Sequence, residues 1–249
     1  MKNEIILWLS SLIIVFLIGY IKNVTNKDYP ITGTFGIEGK KVSYKLDKVS
    51  FDKNFYKNII ISDLKGINAK LVWKKDHQKY ETDYTENDKA LVCEIPKLKP
   101  GERILYKIII YHNEKTYEIP KDNFVSLTFW GHIPKAVNFL YFFFIYSSLL
   151  ISMRSVLELF AQNKNLKKYA FITCIFFITL VSIINPLYIT YKLEAINHFV
   201  PPFNELLNPL LLTILIFWII GTILIFNKNY IRIVTIIIST ATTIIFFLL

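Results

Sequence analysis

Histidine is scarce in this sequence and missing from its long apolar runs. The four histidines, His77, His112, His132 and His198, all fall in polar or loop-like stretches. A haem held within a helical bundle needs imidazoles projecting from the helices, and metal sites need clustered ligands. A b-type haem is therefore not expected, and His132 with His198 alone is not expected to hold a metal. Only two cysteines occur, Cys93 in a strand-like run and Cys174 midway through an apolar helix. That spacing rules out c-type haem attachment, and placement in such different segments predicts two buried free thiols. There are eight glycines, and neither common phosphate-cradling glycine loop is formed from them. The Gly-x-Ser-x-Gly elbow of serine hydrolases is also missing. Arginine is limited to Arg103, Arg154 and Arg232, so the net charge of +10 comes mostly from scattered lysines. No arginine stripe with interleaved aromatics marks a nucleic-acid surface. Cofactor, metal and nucleic acid are thus all expected to be absent, and an enzymatic role is disfavoured.

What the chain does have is two kinds of sequence. Residues 22–135 hold 21 of the 29 basic and 15 of the 19 acidic groups, a surplus of six positive charges. The flanking sequence is apolar. Runs at 5–21, 136–153, 170–188, 209–226 and 233–249 are long enough to cross a ~30 Å hydrocarbon core. The first lacks a small-residue cleavage site, since Gly19-Tyr20-Ile21-Lys22-Asn23 follows, and it reads as an uncleaved anchor. Basic residues orient the spans. Arg154, Lys164, Lys167 and Lys168 oppose only Glu158 in one loop, and Lys228 and Arg232 stand without an acid in another. Both loops are predicted to face the cytoplasm. The N-terminus then lies inside, while the polar block and the C-terminus lie outside, in an inner-membrane protein whose first partner is the lipid bilayer.

No ionisable group sits in the middle of a span. Arg154 and Glu158, four residues apart, share a helix face at a span end, where a snorkelling side chain and a local ion pair account for them. Asn185-Pro186 is expected to end the third span at the interface. Thr235, Ser239 and Thr243 recur every four residues, a small polar face suited to close helix packing within the bundle or with a partner.

Inside the polar block the period changes to two. Val42-Ser-Tyr44-Lys-Leu46, Ala69-Lys-Leu71-Val-Trp73, Leu91-Val-Cys93-Glu-Ile95 and Ile104-Leu-Tyr106-Lys-Ile108 alternate cleanly. Turn chemistry at Glu38-Gly39, Lys65-Gly66, Asn87-Asp88, Pro100-Gly101 and His112-Asn113 separates them. Seven to nine short strands in a β-sandwich or small barrel follow, with Trp73 expected in its core. The domains are read as an anchor at 1–26, a β domain at 27–130 and a four-helix transmembrane region at 131–249. The fold class is mixed: an all-β sandwich plus an α-helical transmembrane bundle of about five helices.

The run Ala90-Leu-Val-Cys-Glu-Ile-Pro96, followed by Pro100-Gly101-Glu-Arg-Ile-Leu-Tyr106, resembles immunoglobulin- or fibronectin-III-like modules. There a strand ending in Ile-Pro leads through Pro-Gly into a strand with a buried Tyr. Added to Phe129-Trp-Gly131-His-Ile-Pro134 and Ser152-Met-Arg154-Ser-Val-Leu157-Glu158, it resembles a group of uncharacterised bacterial multi-pass membrane proteins. That resemblance implies architecture and no activity. The outer loop, Pro202-Phe203-Asn204-Glu205 to Asn208-Pro209, departs from the more polar stretch of that group.

Two functions are weighed. The first is a membrane-anchored extracytoplasmic interaction or scaffold module for another membrane or envelope protein. The second is an accessory subunit of a transporter or membrane enzyme. In either, the candidate interface site is the outer membrane face, where His132, His198, Asn204, Glu205 and Asn208 are expected to gather.

Overall fold

The computed structural model describes residues 2–62, 67–76, 78–87, 90–121, 123–161, 165–196, 198–227 and 231–249. It divides into a helical unit (1–25, 133–191, 195–249) and a β unit (26–132 with 192–194).

The helical unit contains α1 (Lys2–Thr25), α2 (Lys135–Glu158), α3 (Leu166–Thr179), α4 (Asn185–Lys192), α5 (Phe203–Leu206), α6 (Pro209–Phe226) and α7 (Ile231–Leu248). A five-residue π turn, Leu180–Ile184, joins α3 to α4, so the helix runs from Leu166 to Lys192. The third span therefore does not stop at Asn185-Pro186. Proline lacks an N–H and its ring presses on the carbonyl four residues back. Here that carbonyl belongs to Ser182, inside the widened turn, and the helix absorbs the proline. Asn185 is buried and its Nδ2 donates to the Leu206 carbonyl at 2.7 Å.

Five helices are long and apolar enough to cross a membrane. Their shared core includes Val15, Leu149, Phe177, Leu180, Leu211, Trp218, Ile238 and Phe246. The small polar face of α7 is used inside this bundle. Thr235 and Ser239 are buried, Ser239 pairs with Ser152 of α2 at 3.2 Å, and the neighbouring Thr242 accepts from Trp218 Nε1 at 2.9 Å. Gly221 permits the close approach of α6 and α7, because a Cβ there would lie 1.8 Å from Ile238 Cδ1.

The β unit holds eleven strands among the described residues: β1 (Ile31–Ile37), β2 (Lys40–Leu46), β3 (Val49–Ser50), β4 (Phe55–Ser62), β5 (Asn68–Lys75), β6 (Gln78–Asp83), β7 (Thr85–Asn87), β8 (Ala90–Pro96), β9 (Arg103–His112), β10 (Lys115–Ile119) and β11 (Val125–Phe129). One sheet is ordered β1-β2-β4-β8-β7 and the other β3-β11-β9-β5-β6, with β10 also on β9. All pairings are antiparallel except β3 with β11. The inward residues of both sheets form one core, among them Val42, Leu46, Ile60, Leu71, Cys93, Ile95, Ile104, Ile108 and Phe129.

The expected turns fall as follows. Glu38-Gly39 links β1 to β2 with both residues at positive φ (50° and 77°), the geometry of a two-residue hairpin. Gly101 takes φ 85° in the turn before β9. The hairpin after β9 turns at Asn113-Glu114, one residue later than His112-Asn113, because His112 still pairs with Lys115. Lys65-Gly66 and Asp88 lie outside the described residues. Trp73 is not at the core centre. It is half-buried at the core's margin, stacked on Tyr80 at 4.3 Å and donating to Thr82 Oγ1 at 3.1 Å.

Candidate functional site

Strand β4 carries apolar groups on both faces. Tyr56, Asn58, Ile60 and Ser62 point inward and are buried, whereas Phe55, Lys57, Ile59 and Ile61 point outward. The outward apolar groups are 47%, 46% and 58% exposed for Phe55, Ile59 and Ile61, too open for core residues. Cross-strand neighbours extend the row: Pro96 stands opposite Phe55, Val92 opposite Ile59 and Ala90 opposite Ile61. Lys57 interrupts it, ion-paired to Glu94 at 2.7 Å. A sheet with one solvated face ordinarily alternates apolar with polar. The unbroken Ile59-Ile60-Ile61 run is the sequence signal for this second apolar face.

At the start of β4 the row meets a polar pocket of about 540 Å³, lined by Asp47, Ser50, Phe51, Asp52, Asn54 and Tyr56 among others. Asp52 Oδ2 accepts from Ser50 Oγ at 2.8 Å, and Asp47 is ion-paired to Lys45 at 2.8 Å. Phe51, 38% exposed, forms part of the rim.

Beneath the pocket runs a buried hydrogen-bond chain. Tyr84 Oη donates to Asn58 Oδ1 at 2.7 Å, and Asn58 Nδ2 donates to Tyr56 Oη and to the Lys45 carbonyl, each at 3.0 Å. The Tyr56 and Tyr106 hydroxyls lie 3.3 Å apart, and Tyr106 Oη donates to the Asp47 carbonyl at 2.8 Å. A satisfied buried network of this kind holds its members in one arrangement. Burial pushes the Tyr56 phenol up to about 12 and raises Tyr84 and Tyr106 well above the ordinary phenol. All three are neutral at neutral pH and serve as struts, as does Cys93, whose thiol burial also raises to about 12.

The five residues expected at the outer face divide between the units. His132 belongs to the β unit, is exposed, and sets Nδ1 3.3 Å from the carbonyl of Phe51, at the rim of the pocket. The other four belong to the helical unit. His198 is exposed and its backbone N–H donates to the Ala195 carbonyl at 3.1 Å. Asn204 and Glu205 are exposed on the single turn of α5. Asn208 caps α6, with Oδ1 accepting from Leu210 N at 2.9 Å, and Pro209 follows in the first turn where its missing N–H costs nothing. Asn208 thus has a structural role that needs no ligand.

Arg154 and Glu158 do form the expected i,i+4 pair, at 2.5 Å. They do not snorkel. Both are buried, the guanidinium lying 4.7 Å from the Tyr169 ring and 5.7 Å from that of Trp8. The second oxygen of Glu158 accepts from Asn165 N at 3.0 Å, just before α3. Flanking rings and that backbone donor make burial tolerable, and the group ties α1, α2 and α3 together.

Fold and site together define a chain of mixed α and β class whose five apolar helices match those of a membrane protein. No protein-family model matches it, and no curated protein matches its sequence. Among solved structures it shows a weak likeness to the crystal structure of a Br derivative of BhCBM56, with 12% identity over 40% of this chain and 90% of that one, at a TM-score of 0.26. A likeness at that score carries no functional argument.

Proposed function

We propose that the chain is a membrane-anchored interaction module of the cytoplasmic membrane. Its β unit is held outside the cytoplasm as an immunoglobulin-like sandwich and binds a membrane or envelope protein without chemistry of its own. Strand order supports the immunoglobulin-like reading: β2-β4-β8-β7 takes the places of strands A-B-E-D, and β11-β9-β5 those of G-F-C. Strand β10 pairs with the same edge of β9 as β11, one stretch further along, so the two together stand in the place of G, and β1 is an addition to that plan. Tyr106 also departs from the corner tyrosine of such domains, since its hydroxyl bonds the backbone at Asp47, far upstream.

The observation that carries the function is the exposed row Phe55, Ile59 and Ile61 beside the pocket rim at Phe51. Ile59 and Ile61, with Val92 and Ala90 opposite them, form an apolar surface bordered by the Lys57–Glu94 ion pair, with Phe55 beyond it, and apolar surface rimmed by polar groups marks a protein-interaction site. The inward side of the same strand is locked by the tyrosine network, so the face is preorganised and loses little entropy on binding.

A photo-reactive phenylalanine analogue placed at Ile59 or Ile61 of the full chain, in native membranes, tests this. Both positions should yield the same cross-linked protein, and a probe at Tyr111 of β9 should not. Adducts no different from those at Tyr111 would defeat the reading.

A further inference from the structure

We propose that the free edge of β1 binds an extended peptide with alternating apolar and polar residues, an acidic one among them, taken up as a sixth strand. This rests on the β unit being an interaction module, but it uses a different surface from the β4 face.

The edge strands of the two sheets are unlike one another. β3 has two residues and β7 three; β6 carries Lys79, Glu81 and Asp83; β10 carries Lys115 and Glu118. Shortness and charge are the ordinary protections of an edge against unwanted pairing. β1, Ile-Thr-Gly-Thr-Phe-Gly-Ile, has seven residues, no charge and no proline.

Its geometry follows from the hairpin. With a two-residue turn at Glu38-Gly39, Ile37 and Lys40 form a hydrogen-bonded pair, and bonded pairs then recur at every second position. Phe35 is thus bonded to Val42 and Gly33 to Tyr44, while the peptide groups of Thr32, Thr34 and Gly36 point to the open edge. All three residues are exposed, and among the described residues no hydrogen bond reaches those groups. An extended backbone satisfies the whole row at once in place of water.

The two sides of the edge specify the side chains. On the inner side a cleft of about 670 Å³ opens between β1–β2 and β10, walled by Phe35, Tyr44 and Tyr117. Phe35 lies 6.2 Å from Tyr44 and 5.9 Å from Tyr117. The Tyr44 ring is laid over Gly33, where a Cβ would stand 2.4 Å from its hydroxyl, so the wall is fixed before any ligand arrives. Inward residues of an added strand would enter this aromatic cleft. Outward residues would lie beyond Thr32, Thr34 and Gly36, whose partners across the hairpin are Lys45, Ser43 and Lys41. Lys45 is already paired to Asp47, and Lys41, one strand away beside Gly36, favours an acidic group there. It also disfavours a second copy of this chain, which would bring its own Lys41 to the same seam.

The test uses the full chain in nanodiscs and a phage-displayed library of random ten-residue peptides. Enriched peptides should alternate apolar with acidic or polar residues. A synthetic member should slow amide exchange at Thr32, Thr34 and Gly36, and leave the already bonded Phe35 amide unchanged. Thr34→Pro removes an outward donor at an edge position that tolerates proline, and it should weaken binding at least tenfold. Exchange needs no variant, so a Thr34→Pro chain that failed to fold would leave the test intact. No enrichment, enriched sequences without alternation, protection elsewhere, or a dimer formed through β1 would each overturn the proposal. Binding lost in Ile59→Lys but kept in Thr34→Pro would transfer the peptide to the β4 face, and leave the function above standing.

Discussion

Arg154 shows how much of this molecule depends on single side chains in unusual surroundings. A buried guanidinium is tolerated only while its carboxylate partner and flanking rings remain, because an uncompensated buried charge costs several kcal/mol. Arg154→Ala or Glu158→Ala should each destabilise the detergent-solubilised chain by about 3–5 kcal/mol. Replacing both by Met and Leu should cost much less, since neither charge is then left alone. A double loss equal to the sum of the two single losses, in thermal unfolding, would show that the pair is not coupled. The tyrosines of the β unit give a second residue-scale prediction. Tyr56 titrates near 10 when unfolded and at about 12 when folded. Folding then favours the protonated form, so its contribution is intact below pH 10 and is lost as pH rises toward 12. Alkaline titration should show cooperative loss of β-sheet ellipticity together with phenolate absorbance above pH 10. Tyr56→Phe should lessen the pH dependence of that loss. Phenolate appearing near pH 10 with the sheets intact would place these rings at the surface.

Elements differ in how plainly the sequence announces them. Period-two alternation identifies most of the β core, because Val42, Leu46, Leu71, Cys93, Ile95, Ile104 and Ile108 all fall on inward positions. It fails for β3 and β7, whose two and three residues are too short to show a period. It also misplaces Trp73, since alternation tells which face a residue takes but not how far along the strand the core extends. Thr82 and Tyr80 of the neighbouring strand complete that site instead. Trp73→Ala should therefore cost about 2 kcal/mol, below the 3–5 expected for a fully buried aromatic, as read from denaturant unfolding of the β unit. A loss of 4 kcal/mol or more would put the ring back in the core. In the helical unit, Asn185-Pro186 reads as a stop because local rules see only the proline. The π turn and the Leu206 carbonyl that receives Asn185 come from elsewhere in the chain. Arg154 escapes a sequence reading for the same reason: its burial depends on Trp8, 146 residues away, meeting Tyr169. Of the candidate site, the loop residues were visible as polar groups near spans, whereas the β4 face was not, because an unbroken Ile run shows no alternation to say which residues face out.

For the whole molecule, the bundle itself relates the two ends of the chain. Lys22, near the end of α1, donates to the Phe246 carbonyl near the end of α7 at 2.5 Å, and Tyr146 in α2 lies 5.7 Å from the Phe246 ring. A cation on the last carbonyls of a helix is a favourable terminal contact. Trp8 meets Tyr169 at the opposite end, where Lys167 also donates to the Phe226 carbonyl at 3.0 Å. Gly19 meets Tyr146 and Trp8 meets Arg154, so α2 runs back along α1; the ends of α1 and α7 and the start of α2 share one side of the bundle, and Lys167 and Arg232, near the starts of α3 and α7, lie at the other. Residues 26–132 join Thr25 at the end of α1 to α2, whose start at Lys135 lies on the side of the bundle that carries Leu249. A reporter fused after Leu249 and a cysteine placed at Lys53 should report the same compartment, whichever it is. Lys167, Lys168 and Arg232 on the other side then choose the direction, since basic loops are retained in the cytoplasm. Both probes should be extracytoplasmic, the fused phosphatase active and the cysteine open to an impermeant maleimide in intact cells. Probes in opposite compartments would refute the five-helix bundle. Probes together in the cytoplasm would keep the bundle and invert it, which would remove the β unit from the envelope partners proposed for it.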